Sequence, residues 1–290
     1  MLALLRSLHR HRRLIREFIV RDLKARYVGS TMGFFWSVIF PLINLAVYLF
    51  VFRLILNTRW SEGTSATQTA LTMLAGILVW SAFAETIGRS TNCLVEHSNL
   101  IQKVVFPSEI LPPFLCASSL VNMAVGLPIV LLAVLFLDPQ RTFGIHFQPD
   151  RFSAGLLALP LLVVLQGVFM IGLGYVMAML NLYVRDTVHV IGVLMTVWMF
   201  ATPIFYPDFM VDPSLAPAGT FVARGVTGSF AWLLDVNPMY WLIECYRDVM
   251  VHARWPEPMR LARFAGVAVL VFAAGSTFFM RHRRDIPDLL

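Results

Sequence analysis

The stretch GFFWSVIFPLINLAVYLFVFRLIL, Gly33–Leu56, decides the fold of this chain, because only Arg53 is charged among its 24 residues. One helix needs roughly 20 apolar residues to cross a bilayer core about 30 Å thick. The composition of the whole chain also indicates a membrane protein. Of its 290 residues 58% are hydrophobic and 14% are charged, whereas about a quarter of an average soluble domain is charged. The sequence therefore predicts an all-α integral membrane protein and excludes a soluble domain, a disordered chain, collagen and a disulfide-stapled secreted domain.

Six membrane spans are predicted in total. The other five are Ala70–Ile87, Ile110–Leu137, Ala154–Leu180, Val190–Phe205 and Leu261–Met280. In the third span, Pro112 and Pro113 predict an early interruption. The moderately apolar stretch Thr220–Val251 contains five charged residues together with Asn237 and Pro238 and is too polar to face lipid across a full span. It is predicted to form a re-entrant or interfacial helical pair, since such backbone is tolerated where protein buries it.

These spans define a single transmembrane domain over residues 1–290. Its predicted parts are a cytoplasmic amphipathic arm at 1–32, spans one to five at 33–206, an external re-entrant region at 207–260, span six at 261–280 and a cytoplasmic tail at 281–290. Fourteen of the 23 basic residues fall on the side of the arm. The excess of positive charge predicts that both termini are cytoplasmic. No cleavable signal peptide is expected, because a long charged segment precedes the first apolar run.

The arm combines eight basic residues with regularly spaced apolar ones. Its Leu, Ile and Phe residues between Leu5 and Leu23 recur at near-helical spacing among arginines, which predicts an amphipathic helix in the headgroup layer. Gly29 and Gly33 are expected to form the joint into the first span. Beside a hydrophobic span, such basic charge favours a membrane surface over nucleic acid.

No catalytic or metal site is predicted. The chain has no phosphate loop, and the zinc-protease and nucleophile-elbow motifs do not occur. Its three cysteines and seven histidines are scattered, so neither disulfides nor a metal site is expected. Glu85 and Arg89 predict an i,i+4 ion pair at the membrane boundary; a proton relay at Glu85 is the alternative.

Four segments, taken in order, carry a resemblance. They are RDLKARYVGSTMGFFWSVIFPL (Arg21–Leu42), NLIQKVVFP (Asn99–Pro107), LNLYVRD (Leu180–Asp186) and NPMYWLIECYRD (Asn237–Asp248). Together with the layout of the whole chain, they resemble the permease subunits of type-two ABC exporters that move polysaccharides, namely O-antigen, teichoic acid and capsule.

The resemblance implies a homodimer in the cytoplasmic (inner) membrane, paired with two copies of a separate ATP-binding subunit. ATP and Mg would be bound by that subunit, and no cofactor by this chain. Residues about 6–26 and 96–106 would contact the ATPase. Re-entrant helices would guard the external mouth. The docking residues implied by this resemblance are Asn99, Leu100, Ile101, Gln102 and Lys103.

Sugar polymers need a wide path, and aromatic rings suit it because they stack on the apolar faces of sugars. If spans one and five line the dimer interface, as in that family, the preferred channel residues are Trp36, Phe40, Tyr48, Trp198 and Tyr206. Lipid-facing rings and interfacial belts are the alternative explanation.

Charged residues at the two ends have two interpretations each. Arg21, Lys24 and Arg26 are candidates for contact with the pyrophosphate of an undecaprenyl-linked glycan, although positive-inside topology explains them equally. Glu244 and Arg247 are spaced for an ion pair within one helix, and an external gate or subunit contact is the second interpretation.

The function expected is therefore ATP-driven export of a lipid-linked, O-antigen-like polysaccharide. Teichoic acid, capsule polymer, a lipid and a drug are the alternative substrates. A membrane enzyme would need acidic or histidine clusters at the membrane boundary, and a proton-driven transporter would need internal repeats and buried carboxylates. The sequence offers little of either.

Overall fold

The computed structural model describes residues 2–26, 35–55, 60, 65–103, 106–137, 147–148, 153–212 and 230–290. The described chain is built from helices. These are α1 (Leu2–Arg10), α2 (Arg12–Ala25), α3 (Trp36–Tyr48, continued by a π-helical stretch Leu49–Ile55), α4 (Ala66–Glu96), α5 (Ser98–Lys103), α6 (Leu111–Phe136), α7 (Leu159–Tyr183), α8 (Thr187–Ala201), α9 (Ala231–Val236), α10 (Pro238–Met250), α11 (Pro258–His282) and α12 (Ile286–Leu289). Short 3₁₀ turns cover Ser108–Ile110, Ala154–Ala158, Asp208–Met210 and Arg283–Asp285.

Apolar helices occupy all six of the predicted span positions. Four are long and apolar enough to cross a membrane: Ala66–Glu96, Ser108–Phe136, Ala154–Tyr183 and Pro258–Leu289. Two shorter apolar helices, Val38–Phe52 and Thr187–Ala201, stand where spans one and five are predicted. The all-helical membrane architecture is thus supported, while the count of six spans and the sidedness of the termini stay predictions.

The helix boundaries follow from capping and proline chemistry. Ser65 begins α4 by accepting a hydrogen bond from the Gln68 amide at 3.1 Å. The predicted interruption at Pro112 and Pro113 is wrong, because both lie in the first turn of α6, where a missing N–H removes no hydrogen bond. Pro128, further along α6, also lies within the helix.

The arm is two helices rather than one, since α1 and α2 meet at His11. Both lie against the protein: Leu4 and Phe18 are buried in a core cluster shared with α5, α7 and the tail. The joint predicted at Gly29 and Gly33 lies outside the described residues.

The main core is formed by α4, α6, α7, α10 and α11. Helix α7 approaches α11 closely at Gly172 and Gly275, where a Cβ on Gly275 would stand 2.0 Å from the Gly172 carbonyl oxygen. Small residues permit such close packing between helices in a membrane.

By contrast, α3 and α8 lie at the edge of the chain and leave apolar faces uncovered. On α3 these faces include Phe40 and Phe50, and on α8 they include Val193 and Phe200, each more than half exposed. Within one copy, nothing in the described chain covers them.

The predicted external region is described at 207–212 and 230–260, and residues 213–229 lie outside the described part. There α10 is buried from Met239 to Met250 despite its charged residues. Asn237 begins the helix, its Oδ1 accepting a hydrogen bond from the Met239 amide at 3.1 Å, with Pro238 in the first turn.

Candidate functional site

An ion cluster joins the arm to the spans at one end of the bundle. The Asp22 carboxylate accepts hydrogen bonds from Arg89, at 3.0 Å from Nη1, and from the Ser118 hydroxyl. Arg26 lies 3.3 Å from Asp22 and also pairs with Glu85. The predicted pair of Glu85 with Arg89 is confirmed at 3.4 Å. The cluster holds two acids and two arginines, so its charges balance.

Arginine partners lower the pKa of Asp22. Burial raises it, but hydrogen bonds from Arg89 and Ser118 and the positive charges of Arg89 and Arg26 outweigh burial, so the pKa lies below its ordinary value of 3.8. The carboxylate is therefore ionised at neutral pH and holds α2 against α4 and α6.

The three basic residues predicted to contact pyrophosphate do not lie together. Arg26 points into the ion cluster. Arg21 and Lys24 are exposed on α2, the guanidinium of Arg21 lying 4.7 Å from the ring centre of Phe18. Both line an open groove along the outer side of the helix.

The predicted docking segment forms α5, Ser98–Lys103. Ile101 is buried in the core cluster with α1, α2 and the tail, whereas Asn99, Leu100, Gln102 and Lys103 are exposed. One side chain thus anchors the short helix and leaves the other four on the surface.

A buried carboxylate near α5 ties distant parts of the chain together. Glu109 is fully buried, and its Oε1 accepts a hydrogen bond from the Ser7 hydroxyl at 2.5 Å and lies 3.0 Å from Nη1 of Arg283. Its backbone carbonyl accepts a hydrogen bond from the Tyr175 hydroxyl at 2.7 Å. The arm, the segment before α6, α7 and the tail therefore form one platform.

The predicted channel residues divide into two groups. Trp36 and Phe40 lie on α3 with ring centres 5.2 Å apart, and Tyr48 stacks on Phe52 at 5.9 Å. Trp198 instead packs into the core: its ring lies 5.2 Å from that of Phe83, and its Nε1 donates a hydrogen bond to Asn237 Oδ1 at 2.9 Å.

Tyr206, the fifth predicted channel residue, lies just beyond α8. Its hydroxyl donates a hydrogen bond to the Phe200 carbonyl at 2.6 Å. This bond fixes the ring over the end of α8.

The predicted ion pair within α10 is confirmed, since Arg247 Nη1 lies 2.7 Å from Glu244 Oε1. Arg247 is 2% exposed. It also donates hydrogen bonds to the carbonyls of Thr72 at 3.2 Å, Pro203 at 2.9 Å and Ile204 at 3.1 Å. The pair consequently braces α10 against α4 and the segment after α8.

Several of these residues were missed by sequence reasoning. Asp22 carried a usable signal, because its four-residue spacing from Arg26 is that of a helical ion pair. No sequence signal marked Glu109, Arg283 or Ser118, since their partners lie far away in the sequence. Among the described residues, no three His, Cys, Asp or Glu side chains lie close enough to hold a metal ion.

Comparison with known proteins matches the profile of the ABC-2 type transporter family to residues 13–251. An O-antigen export system permease protein RfbA from Myxococcus xanthus is 27% identical, over 99% of this chain and 99% of its own length. Two proteins of the same description from Klebsiella pneumoniae are 23% identical, over 93% of this chain and 92% of the relative, and 24% identical, over 80% and 78%.

Proposed function

The chain belongs to the ABC-2 type transporter family, and from this premise we propose that it is the membrane-spanning subunit of an ATP-driven exporter of a lipid-linked, O-antigen-like polysaccharide. One observation carries the choice of substrate: similarity to O-antigen export permeases extends over nearly the whole chain, arm and tail included. The apolar helices support a multi-pass membrane protein, which we assign to the cytoplasmic (inner) membrane with both termini cytoplasmic.

A separate ATP-binding subunit supplies the energy in this proposal, binding ATP and Mg, and two copies of it dock on the permease dimer. They dock on the arm and on α5. The four exposed side chains of α5 support this role, because a helix anchored by Ile101 alone offers most of its surface to a partner. The platform around Glu109 would transmit a displacement of α5 to α6 and α7.

A second copy of the chain covers the apolar faces of α3 and α8, and the polysaccharide passes between the copies. Trp36, Phe40, Tyr48 and Tyr206 are the rings we assign to this path. Trp198 is assigned a supporting role at its edge, because its indole is already bonded to Asn237.

At the cytoplasmic surface, Arg21 and Lys24 contact the pyrophosphate of the undecaprenyl-linked glycan. Their exposure on α2 supports this assignment. Arg26 can contact the pyrophosphate as well only if it leaves Asp22 and Glu85, since its guanidinium is paired with both carboxylates.

At the opposite end, Glu244 and Arg247 form the proposed external gate. Opening this gate requires α10 to move, because Arg247 holds the carbonyls of Thr72, Pro203 and Ile204. The gate is therefore expected to be closed at rest.

The test is ATPase activity in lipid nanodiscs, measured for this chain alone and for its complex with the ATP-binding subunit encoded beside it. Undecaprenyl-pyrophosphate-linked glycan is added to each, with undecaprenyl phosphate as the control lipid. The proposal expects activity only in the complex, changed by the glycan and not by the bare lipid.

Two other results would contradict the proposal. Failure to bind any ATP-binding subunit would exclude an exporter. An equal response to both lipids would support an exporter whose substrate is a lipid and not a polysaccharide.

A further inference from the structure

A cavity of about 350 Å³ lies between α3, α4 and α6, inside the predicted membrane region. Small-molecule sites in proteins begin at about this volume. Its wall holds four uncharged polar side chains, one or two from each helix: Asn44, Ser81, Ser119 and Asn122.

The lining changes in character from one end of the cavity to the other. Arg26 and Glu85 of the ion cluster line one end. Ser81 lies one helical turn beyond Glu85, about 6 Å deeper. Leu74 lines the far end, about 16 Å from Glu85 along α4. The polar side chains thus form a layer between a charged end and an apolar end.

These polar groups have no protein partner. Ser119 is 1% exposed, and its buried hydroxyl makes no hydrogen bond. Asn44 and Ser81 are exposed in a single copy and Asn122 is half-buried, and none of the three makes a side-chain hydrogen bond to any part of the chain that the structure describes. An unsatisfied amide or hydroxyl within a membrane costs several kcal/mol, so polar side chains there mark a ligand or substrate path.

The ligand that fits is neutral and rich in hydroxyl groups. A phosphate would require a free cation, yet Arg26 and Arg89 are each paired with two carboxylates and the cluster carries no net charge. Asn and Ser side chains offer both donors and acceptors, which match hydroxyls. The Phe40 ring, 5.2 Å from Trp36, provides an apolar surface for the face of a sugar ring.

We propose that this cavity binds one sugar unit of the transported glycan on the cytoplasmic side, within each copy of the chain and beside the path between copies, with which it shares Phe40. This inference rests on the proposed function and adds a substrate site that Asn44, Ser81, Ser119 and Asn122 form.

The experiment uses the complete complex in nanodiscs and titrates undecaprenyl-pyrophosphate-linked glycan against ATPase activity. Two variants remove the polar layer: Asn44→Leu with Asn122→Leu, and the milder Ser81→Ala with Ser119→Ala. The matched control is Thr277→Val, which removes a hydroxyl from α11 that bonds its own helix. We expect the asparagine variant to raise the half-maximal glycan concentration about tenfold or more and the serine variant to raise it less. The Thr277→Val control should keep the half-maximal glycan concentration of the unaltered complex.

The outcomes separate this inference from the proposed function. If the unaltered complex does not respond to glycan, the function fails, and the sugar site with it. If it responds and both cavity variants keep the same half-maximal concentration, the site is overturned while the function stands. A weaker response of the variants to undecaprenyl phosphate as well would identify the ligand as lipid and also overturn the sugar site.

Discussion

Arg247 connects three segments of the chain through one side chain. Its guanidinium pairs with Glu244 and donates hydrogen bonds to the carbonyls of Thr72, Pro203 and Ile204 in a buried site. The ordinary cost of burying a charge is offset only when every donor finds a partner. Arg247 therefore stabilises the packing of α10 against α4 and the segment after α8, whatever its part in a gating step.

Replacing Arg247 by Met should destabilise the protein by about 3–5 kcal/mol, because Glu244 is left as a buried charge without its main partner. Thermal unfolding in detergent measures this loss. Arg263→Met is the matched control: Arg263 pairs with Asp235 at 3.5 Å on the surface, and such pairs contribute about 0–1 kcal/mol. Equal unfolding temperatures for the two variants would show that the buried bonds are unimportant.

Asp22 predicts a pH dependence of the arm. Because the folded protein holds its pKa below the ordinary 3.8, the carboxylate stabilises the folded state fully above that value. The contribution is lost as the pH falls from 3.8 through the lowered pKa. Hydrogen exchange of α2 amides should accordingly be constant between neutral pH and about pH 5 once corrected for intrinsic rates, and should accelerate below 3.8.

The comparison for this experiment is Asp22→Asn. It removes one of the two carboxylate partners of Arg89 at every pH, so α2 should exchange faster at neutral pH and show a smaller further change in the acid range than the unaltered protein. Identical profiles for both proteins would mean that Asp22 does not hold the arm.

At the scale of elements, the contact between α7 and α11 depends on the absence of side chains. Gly275→Ala would place a methyl group 2.0 Å from the Gly172 carbonyl oxygen, so the helices must separate. Overpacking of this kind typically costs about 1–3 kcal/mol, measured as a lower unfolding temperature. Gly266→Ala on the same helix meets no atom within 4 Å and should not lower that temperature; a drop as large as for Gly275→Ala would contradict the packing argument.

The short helix α5 offers a second element-scale prediction. Leu100→Glu with Lys103→Glu changes two exposed side chains and should abolish co-purification of the ATP-binding subunit while leaving the unfolding temperature of the permease unchanged. The control is Arg263→Glu, an exposed charge reversal at the predicted external end. Normal recovery of the complex with the α5 variant would exclude α5 as the docking helix.

The helices themselves were predictable because apolar composition and spacing are local properties. The i,i+4 pair Glu85–Arg89 and the i,i+3 pair Glu244–Arg247 were predictable for the same reason, since one helix sets both spacings. Trp198 shows the limit. Nothing in its own segment indicates that Asn237, 39 residues later, accepts its indole hydrogen.

At the scale of the whole molecule, the apolar faces of α3 and α8 predict where a second copy binds. Single cysteines placed in turn along these faces, for example Phe50→Cys and Val193→Cys, should form covalent dimers on oxidation in native membranes. The background is low, because Cys93, Cys116 and Cys245 are all buried.

The control for the dimer is Leu270→Cys, which puts a thiol on the exposed lipid-facing side of α11. It should stay monomeric. Cross-linking at position 270 and none along α3 or α8 would move the dimer interface to α11.

The sequence by itself determined that this chain is built from helices apolar enough for a membrane and roughly where they run, and it predicts an arm on the membrane surface. Hydropathy and periodicity act within one segment and need no partner. The tertiary structure alone decided that Asp22 meets Arg89, that Glu109 meets Arg283 and that four polar side chains face one cavity. These contacts depend on how each helix is rotated and crossed against its neighbours, and packing of the whole bundle sets those angles.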